Sequence, residues 1–286
     1  MITIGSWAAA LLGFINPIGA SGAIWAWGNN ASGQLGLGDT VYRSSPTQVG
    51  ELTNWLKIAG GNYFTAAIND IGELWAWGQN LRGQLGLDDV IYRSAPVQVG
   101  ILTNWNHVST GKNHVLALKT DSTLWAWGHN YYGQLGLDST IYQSSPVQIG
   151  ALTTWLSVSS GGYHTIATQS DGTIWAWGHN YNGQLGLGFV GNITTYRSSP
   201  SQIGSLTTWL QLGAGKYHSL ATHSDHTLWT WGMNYYGQLG IPDLMTFGNW
   251  IDGKSSPTQV GVLTKWLSIS GGGYHSLATS VPPVQF

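Results

Sequence analysis

The chain has no cysteine, so a disulfide framework, a thiolate nucleophile and cysteine-ligated zinc are all excluded, and the redox compartment is left open. Charge is scarce as well. Asp, Glu, Lys and Arg together make up 8% of the residues, against about 25% in an average globular domain. Ten Lys and Arg face twelve Asp and Glu, a net charge of −2, which removes the positive field that non-specific nucleic-acid binding relies on. Long apolar runs are missing too: the longest, residues 7–15, has nine members, whereas a membrane-spanning helix needs about 18 to 20. Ala8, Ala9, Ala10, Leu11 and Leu12 resemble the apolar part of a secretory signal, but no Lys or Arg precedes them. Residues 1–21 therefore read as an N-terminal arm, with Trp7 and Phe14 as the side chains expected to contact this protein or a neighbour.

What remains is rich in two residue types. The 286 residues include 41 Gly and 17 Trp, and 42% are hydrophobic, enough for a sizeable core and too many for a disordered chain. The string Trp25-Ala26-Trp27-Gly28 returns at Trp75, Trp125 and Trp175, then as Trp229-Thr230-Trp231-Gly232, at spacings of 50, 50, 50 and 54. Each copy carries an Asn (30, 80, 130, 180, 234) and a Gly-Gln-Leu-Gly tetrad starting at Gly33, Gly83, Gly133, Gly183 and Gly237. Each continues through Pro46, Pro96, Pro146, Pro200 or Pro257 to a Leu-Thr-x-Trp ending at Trp55, Trp105, Trp155, Trp209 or Trp266. Nine residues further on stand Phe64, His114, His164, His218 and His275. Fifteen of the 17 tryptophans occupy these framework positions, and the two outside them are Trp7 and Trp250.

Within a unit, apolar residues alternate with small or polar ones, the period of a strand. The Asp171-Gly172 pair marks a tight hairpin between two such runs. Four strands per unit are expected, at 155–159, 164–169, 173–177 and 146–149 with their equivalents. A four-stranded sheet of about 50 residues cannot bury both faces alone, so neighbouring sheets are expected to pack face to face around an axis, as propeller blades do.

These landmarks resemble the regulator of chromosome condensation (RCC1) repeat, and the resemblance covers residues 22 to 280. It implies an all-β propeller over residues 22–286, with repeats starting near 24, 74, 124, 174 and 228, and a final half-blade at 266–286. The family's usual ring has seven blades, whereas this chain has material for about five. The two terminal halves are expected to complete one blade as a clasp, or, with residues 5–22 as a degenerate strand pair, to leave an open arc or a sixth blade. The resemblance also implies an interaction platform, of a kind that looks like arrays of bacteria and their phages.

Chemistry is harder to find. One His per unit at a fixed framework position stands too far from its counterparts for zinc bonds of about 2.0 to 2.1 Å, so each imidazole is expected to hydrogen-bond locally, with no metal and no cofactor. His129 and His179, after Trp-Gly, read as surface variants without a shared role. No nucleophile motif, Walker loop or dinucleotide fingerprint occurs, so no catalytic residue is assigned. Arg43, Arg93, Arg197 and Lys254 recur three positions before the Pro, and salt bridges to acids such as Asp39 or Asp89 are favoured over a positive ring.

Function is expected where the copies differ. The residues before the tetrad include Tyr131, Tyr132, Tyr181, Tyr235 and Tyr236, which places a tyrosine cluster on one face. The following connection is longer by four residues around 189–195, including Phe189, and by seven around 241–253, including Met245, Phe247 and Trp250. Aromatic and Met enrichment with few charges is an interface composition. The expected function is a non-enzymatic protein-interaction or structural module, such as a phage virion decoration or fibre-associated protein. Its partners would be other proteins, a larger particle or further copies of itself, with no nucleic acid and no membrane span. The alternative is a carbohydrate-binding, lectin-like propeller. A virion or particle surface is the expected location, otherwise the cytoplasm or the extracellular space, and not the nucleus.

Overall fold

A computed structural model describes residues 21–188, 196–242 and 253–281. The arm residues Trp7 and Phe14, and the insertion residues Phe189, Met245, Phe247 and Trp250, lie outside these described residues. Twenty strands and no helix occur within them. Strands β1 (Trp25–Gly28) and β2 (Arg43–Gln48) form a two-stranded sheet. Four four-stranded sheets follow. The first holds β3 (Trp55–Gly60), β4 (Phe64–Asn69), β5 (Leu74–Gly78) and β6 (Arg93–Gln98), and the second β7 (Trp105–Thr110), β8 (His114–Lys119), β9 (Leu124–Gly128) and β10 (Gln143–Gln148). The third holds β11 (Trp155–Ser160), β12 (His164–Gln169), β13 (Ile174–Gly178) and β14 (Arg197–Gln202), and the fourth β15 (Trp209–Ala214), β16 (His218–His223), β17 (Leu228–Gly232) and β18 (Lys254–Gln259). Strands β19 (Trp266–Gly271) and β20 (Ser276–Ser280) form the last pair.

The sheets are antiparallel meanders in which each strand bonds to the next in sequence. The sheet and the sequence repeat are offset by half a unit, because the chain runs on from the Leu-Thr-x-Trp strand into the next Trp-x-Trp strand. A sheet therefore opens with Trp155 and closes with the strand of Pro200, so the fourth strand of that blade is Arg197–Gln202 and not its counterpart around 146–149. That closing strand is an edge strand, where a proline without an N–H is tolerated. Ring order follows the opening strands: β3 packs on β7, β7 on β11, β11 on β15 and β15 on β19.

The core lies between sheets. Phe64, Ala66 and Leu74 of one blade are buried together with Trp105, Val115 and Trp127 of the next. The same arrangement joins Leu116 and Leu124 to Trp155 and Trp177, and Ile166 and Ile174 to Trp209 and Trp231. A buried indole N–H needs an acceptor, and here the tetrad of the preceding blade supplies it. Nε1–H of Trp77, Trp127, Trp177 and Trp231 donates to the backbone carbonyls of Gln34, Gln84, Gln134 and Gln184 at 3.0, 3.1, 3.0 and 2.9 Å. The closing glycine of the tetrad makes this approach possible. At Gly136 φ is +72° and a Cβ would lie 2.8 Å from Trp177 Nε1, so only glycine fits.

At the two ends the pattern stops. Trp27 is 59% exposed, while its counterparts Trp127 and Trp177 are fully buried, and Trp25 is 52% exposed where Trp125 and Trp175 are partly buried. Leu277 of β20 is exposed where Leu220 of β16 is buried. Among the described residues the two terminal pairs share no sheet. The expected clasp is not formed there, and the described blades make an open arc.

Replacing Trp127 with Ala is expected to destabilise the fold by about 3 to 5 kcal/mol, as for other large-to-small core substitutions. The equivalent change at the exposed Trp27 should stay within about 0.5 kcal/mol. Urea unfolding followed by tryptophan fluorescence compares the two.

Candidate functional site

The pairing of Phe64 with Gly78, and of His164 with Gly178, places two loops at the same end of each blade. One is the turn between the first and second strands, which carries the Gly-x-Tyr-His sequence. The other leaves the third strand and carries the tetrad. A backbone bond ties them together: Gln79, His129, His179 and Met233 each donate their N–H to the carbonyl of Tyr63, Asn113, Tyr163 and Tyr217 respectively, at 2.8 to 2.9 Å.

The recurrent amides of the tetrad loop hold its shape. Asn30, Asn80, Asn130, Asn180 and Asn234 accept through Oδ1 the N–H of the tetrad Leu, at 2.9 to 3.0 Å. The tetrad Gln accepts, through Oε1, the N–H two residues before it. Its Nε2 then faces the side chain after Trp-Gly: Asn29, Gln79, His129 or His179. These two histidines thus share a role that their variation in sequence concealed. The tautomer follows from the donors. Gln134 Oε1 is occupied by Tyr132 N–H, so Gln134 Nε2 donates to His129 Nδ1 at 2.6 Å, and the ring proton sits on Nε2. His179 and Gln184 repeat this at 2.6 Å. Burial, aided by the charges of Arg82 and Lys112, lowers His129 to about 4, and burial lowers His179 to about 4, so both rings are neutral donors near pH 7. In the last copy Met233 offers no acceptor, and Gln238 Nε2 is buried without a partner. Met233→Gln, copying Gln79, should restore that bond and raise stability by about 1 kcal/mol in denaturant titration.

The tyrosines expected from the sequence are brought together, though through intermediaries. Tyr131, Tyr181 and Tyr236 are exposed and Tyr132 and Tyr235 half-buried. Ring centroids run in an unbroken series from Tyr131 to Tyr132 (4.9 Å), Tyr163 (5.6 Å), Tyr217 (6.0 Å), Tyr274 (6.1 Å), Tyr236 (5.4 Å) and Tyr235 (4.7 Å). Tyr181 joins through His179, which also packs on Tyr132 at 4.6 Å. Tyr163, Tyr217 and Tyr274 were missed by sequence reasoning. Their signal was the recurrence of Tyr before the framework His or Phe in four of five copies, at Tyr63, Tyr163, Tyr217 and Tyr274.

Cations decorate this series. Lys112 Nζ donates to Tyr163 Oη at 2.6 Å, and Lys216 Nζ to Tyr274 Oη at 2.7 Å. The Tyr274 hydroxyl, followed by the neighbouring rings, raises Lys216 above the ordinary lysine value. Arg82 lies over the Tyr142 ring at 5.2 Å, and Tyr142 packs on His129 at 4.8 Å. By contrast Arg43 and Arg93 form the expected local ion pairs with Asp39 and Asp89, at 2.6 and 2.5 Å. The carboxyls of both acids lie below their ordinary value. No group of three His, Asp or Glu among the described residues is placed to hold a metal.

Three of the framework histidines, His114, His164 and His218, are buried, and His275 in the last strand pair is exposed. His164 and His218 bond across the joint to Ser219 and Ser276 of the next blade, at 2.9 Å each. His114 departs from the expected local bond: neither of its ring nitrogens has a partner.

Family models for the regulator of chromosome condensation (RCC1) repeat match residues 21–68, 72–118, 121–168, 171–222 and 225–279. The chain belongs to the RCC1 repeat family. Among curated relatives, the human probable E3 ubiquitin-protein ligase HERC6 is 31% identical over 101 residues, which is 34% of this chain and 9% of that protein. Human probable E3 ubiquitin-protein ligase HERC3 is 37% identical over 81 residues, 28% of this chain and 7% of its own length. The RCC1 chain thus spans under a tenth of these relatives. Among solved structures, human WBSCR16 is similar at a TM-score of 0.77 and 22% identity, over 92% of this chain and 68% of that one. Prp20p of Saccharomyces cerevisiae is similar at 0.63 and 21%, over 91% and 79%, in a structure described together with its binding to Gsp1p and histones. These two likenesses show a shared fold.

Acid sensitivity follows from the buried imidazoles. Burial holds His114 and His164 near 3 and His218 near 4, below the unfolded value of about 6.5. In that interval the unfolded chain binds more protons, so their contribution to stability is complete above about pH 6.5 and is lost as the pH falls toward about 3. Thermal unfolding should show a melting temperature that drops over this range. His114→Phe, which copies Phe64 and removes two unpartnered nitrogens, should make the drop shallower.

Proposed function

We propose that the chain is a non-enzymatic protein-interaction module that meets its partner with the aromatic series at the tetrad end of the blades. The observation that carries this reading is the continuity of that series, from Tyr131 to Tyr235, over successive blades. Tyrosine supplies large contact area at low cost in conformational entropy and is enriched among binding hot spots. Each ring here is braced by a neighbour, so the surface is ordered before contact. The binding of Prp20p to Gsp1p and histones supports the use of such a propeller as a protein platform.

The finer reading, a decoration or fibre-associated protein on a virion or other particle, draws its support from near-identical, weakly charged units. It predicts that the chain co-sediments with such a particle. A lectin-like reading draws on the same rings, because tyrosine faces stack on sugars, and a glycan array tests it directly. For the protein reading, the triple variant Tyr131→Ala, Tyr181→Ala, Tyr236→Ala should keep its melting temperature, since these rings are exposed. It should lose at least roughly tenfold in affinity for partners that cross-link to the wild-type face. Undiminished binding by the triple variant would overturn the assignment of this face.

A further inference from the structure

At the axis, the turns that follow the opening strands of the blades surround a cavity of about 560 Å³. Its wall is made largely of glycine, including Gly111, Gly161, Gly162, Gly215, Gly272 and Gly273. Among the described residues only two charged side chains line it, Lys112 and Lys216, and both are cationic. Their placement is written in the repeat. The turn position before Tyr or Asn reads Asn62, Lys112, Gly162, Lys216 and Gly273, so each lysine is followed, one blade on, by a glycine. Each lysine reaches forward over that glycine turn to the next tyrosine, Lys112 to Tyr163 and Lys216 to Tyr274. A Cβ on Gly162 would meet the Lys216 backbone and stem at 2.8 to 3.2 Å, so the small residue keeps this part of the mouth clear.

The charges are not neutralised from within. Neither lysine, nor Arg82 further along the face, forms an ion pair among the described residues. Many of the carboxylates are held elsewhere: Asp121, Asp171 and Asp225 bind the hydroxyls of Thr123, Thr173 and Thr227 in the hairpin turns at the opposite end of the blades. The charged groups beside the aromatic series at this mouth are the ammonium groups of Lys112 and Lys216, and the neutral rings of His129 and His179 add Nε2–H donors to the series. A rim of donors around a recess with no carboxylate in its wall is complementary to an anion.

We propose that this axial mouth receives an acidic segment of a partner protein, with Lys112 and Lys216 taking its carboxylates and the tyrosine series taking the side chains that flank them. The proposal rests on the reading of the aromatic face as a protein contact surface, and it adds the partner's chemistry. A nucleic-acid backbone is a poorer match, because binding it tightly takes about six to ten phosphate contacts. The chain has ten Lys and Arg in all, of which Arg43 and Arg93 are already paired with aspartates.

The test uses the full chain and a hexaglutamate peptide, followed by amide shifts of the turn residues around Lys112 and Lys216. Saturable binding is expected, weakening as salt rises and falling at least tenfold in Lys112→Met/Lys216→Met, which keeps the aliphatic stems. Lys112→Arg/Lys216→Arg, which keeps the charge, should retain binding and separates loss of charge from loss of the fold. Hexaglutamine should not bind. Unchanged hexaglutamate affinity in the methionine pair would overturn the proposal, as would tighter binding of a twelve-base-pair DNA duplex than of the peptide. If the methionine pair binds hexaglutamate like wild type while the tyrosine triple variant still loses its partners, the platform reading stands and the acidic-segment inference fails.

Discussion

The bond from a tryptophan Nε1–H to a glutamine carbonyl on the preceding blade is the constraint on which the rest of the structure depends. Burying an indole brings a large apolar surface out of water and leaves one donor whose loss of water costs free energy unless a partner replaces it. The tetrad meets both needs at once: its carbonyl accepts the N–H, and its last glycine lets the ring come close enough. Neighbouring hydroxyls share the acceptor, as when Thr165 and Ser219 donate to the carbonyls of Gln134 and Gln184. The same glutamine then uses its side chain to shape the loop that carries Tyr132 or Tyr236. Adhesion between blades and presentation of the surface are therefore set by one residue.

Much of the fold was legible in the sequence, because it is periodic and because its interactions are local or repeat at fixed spacing. The strands, the face-to-face packing of neighbouring sheets and the pairing of Arg43 with Asp39 all follow from residue type and position. The half-unit offset was harder to see, since a repeat counted from Trp25 gives no reason to prefer a cut before Trp55. The candidate surface was legible in part. Tyr131 and Tyr236 stood out because they vary between copies, whereas Tyr163 and Tyr217 recur and so looked like framework. Their contribution depends on antiparallel pairing that brings the Gly-x-Tyr-His turn beside the tetrad loop, a juxtaposition across separate loops that no linear motif displays. The same is true of His129, whose role is defined by Gln134 five residues away.

Scarcity of charge also takes on a specific meaning. With 8% charged residues, the position of each one matters. Asp39 and Asp89 are tied to arginines on the loops that follow the tetrad, and Asp121, Asp171 and Asp225 brace hairpin turns. The cations at the axial mouth are left facing an aromatic surface. Lys112 and Lys216 thus lie at the tetrad end, away from the hairpin-turn carboxylates of Asp121, Asp171 and Asp225, while Asp39 and Asp89 at the tetrad end are held by arginines.

The joint between blades is written with the same residues on both of its sides at every step, from Gln34 and Trp77 to Gln184 and Trp231. Other contacts are particular to a joint, such as His164 with Ser219, His218 with Ser276 and Lys112 with Tyr163, but this bond is common to all four. Any unit could therefore be duplicated, deleted or exchanged at the level of the gene, and the new neighbours would meet through an interface they already possess. Blade number in such a chain is a quantity that recombination can count up or down without redesigning the bond that joins one blade to the next.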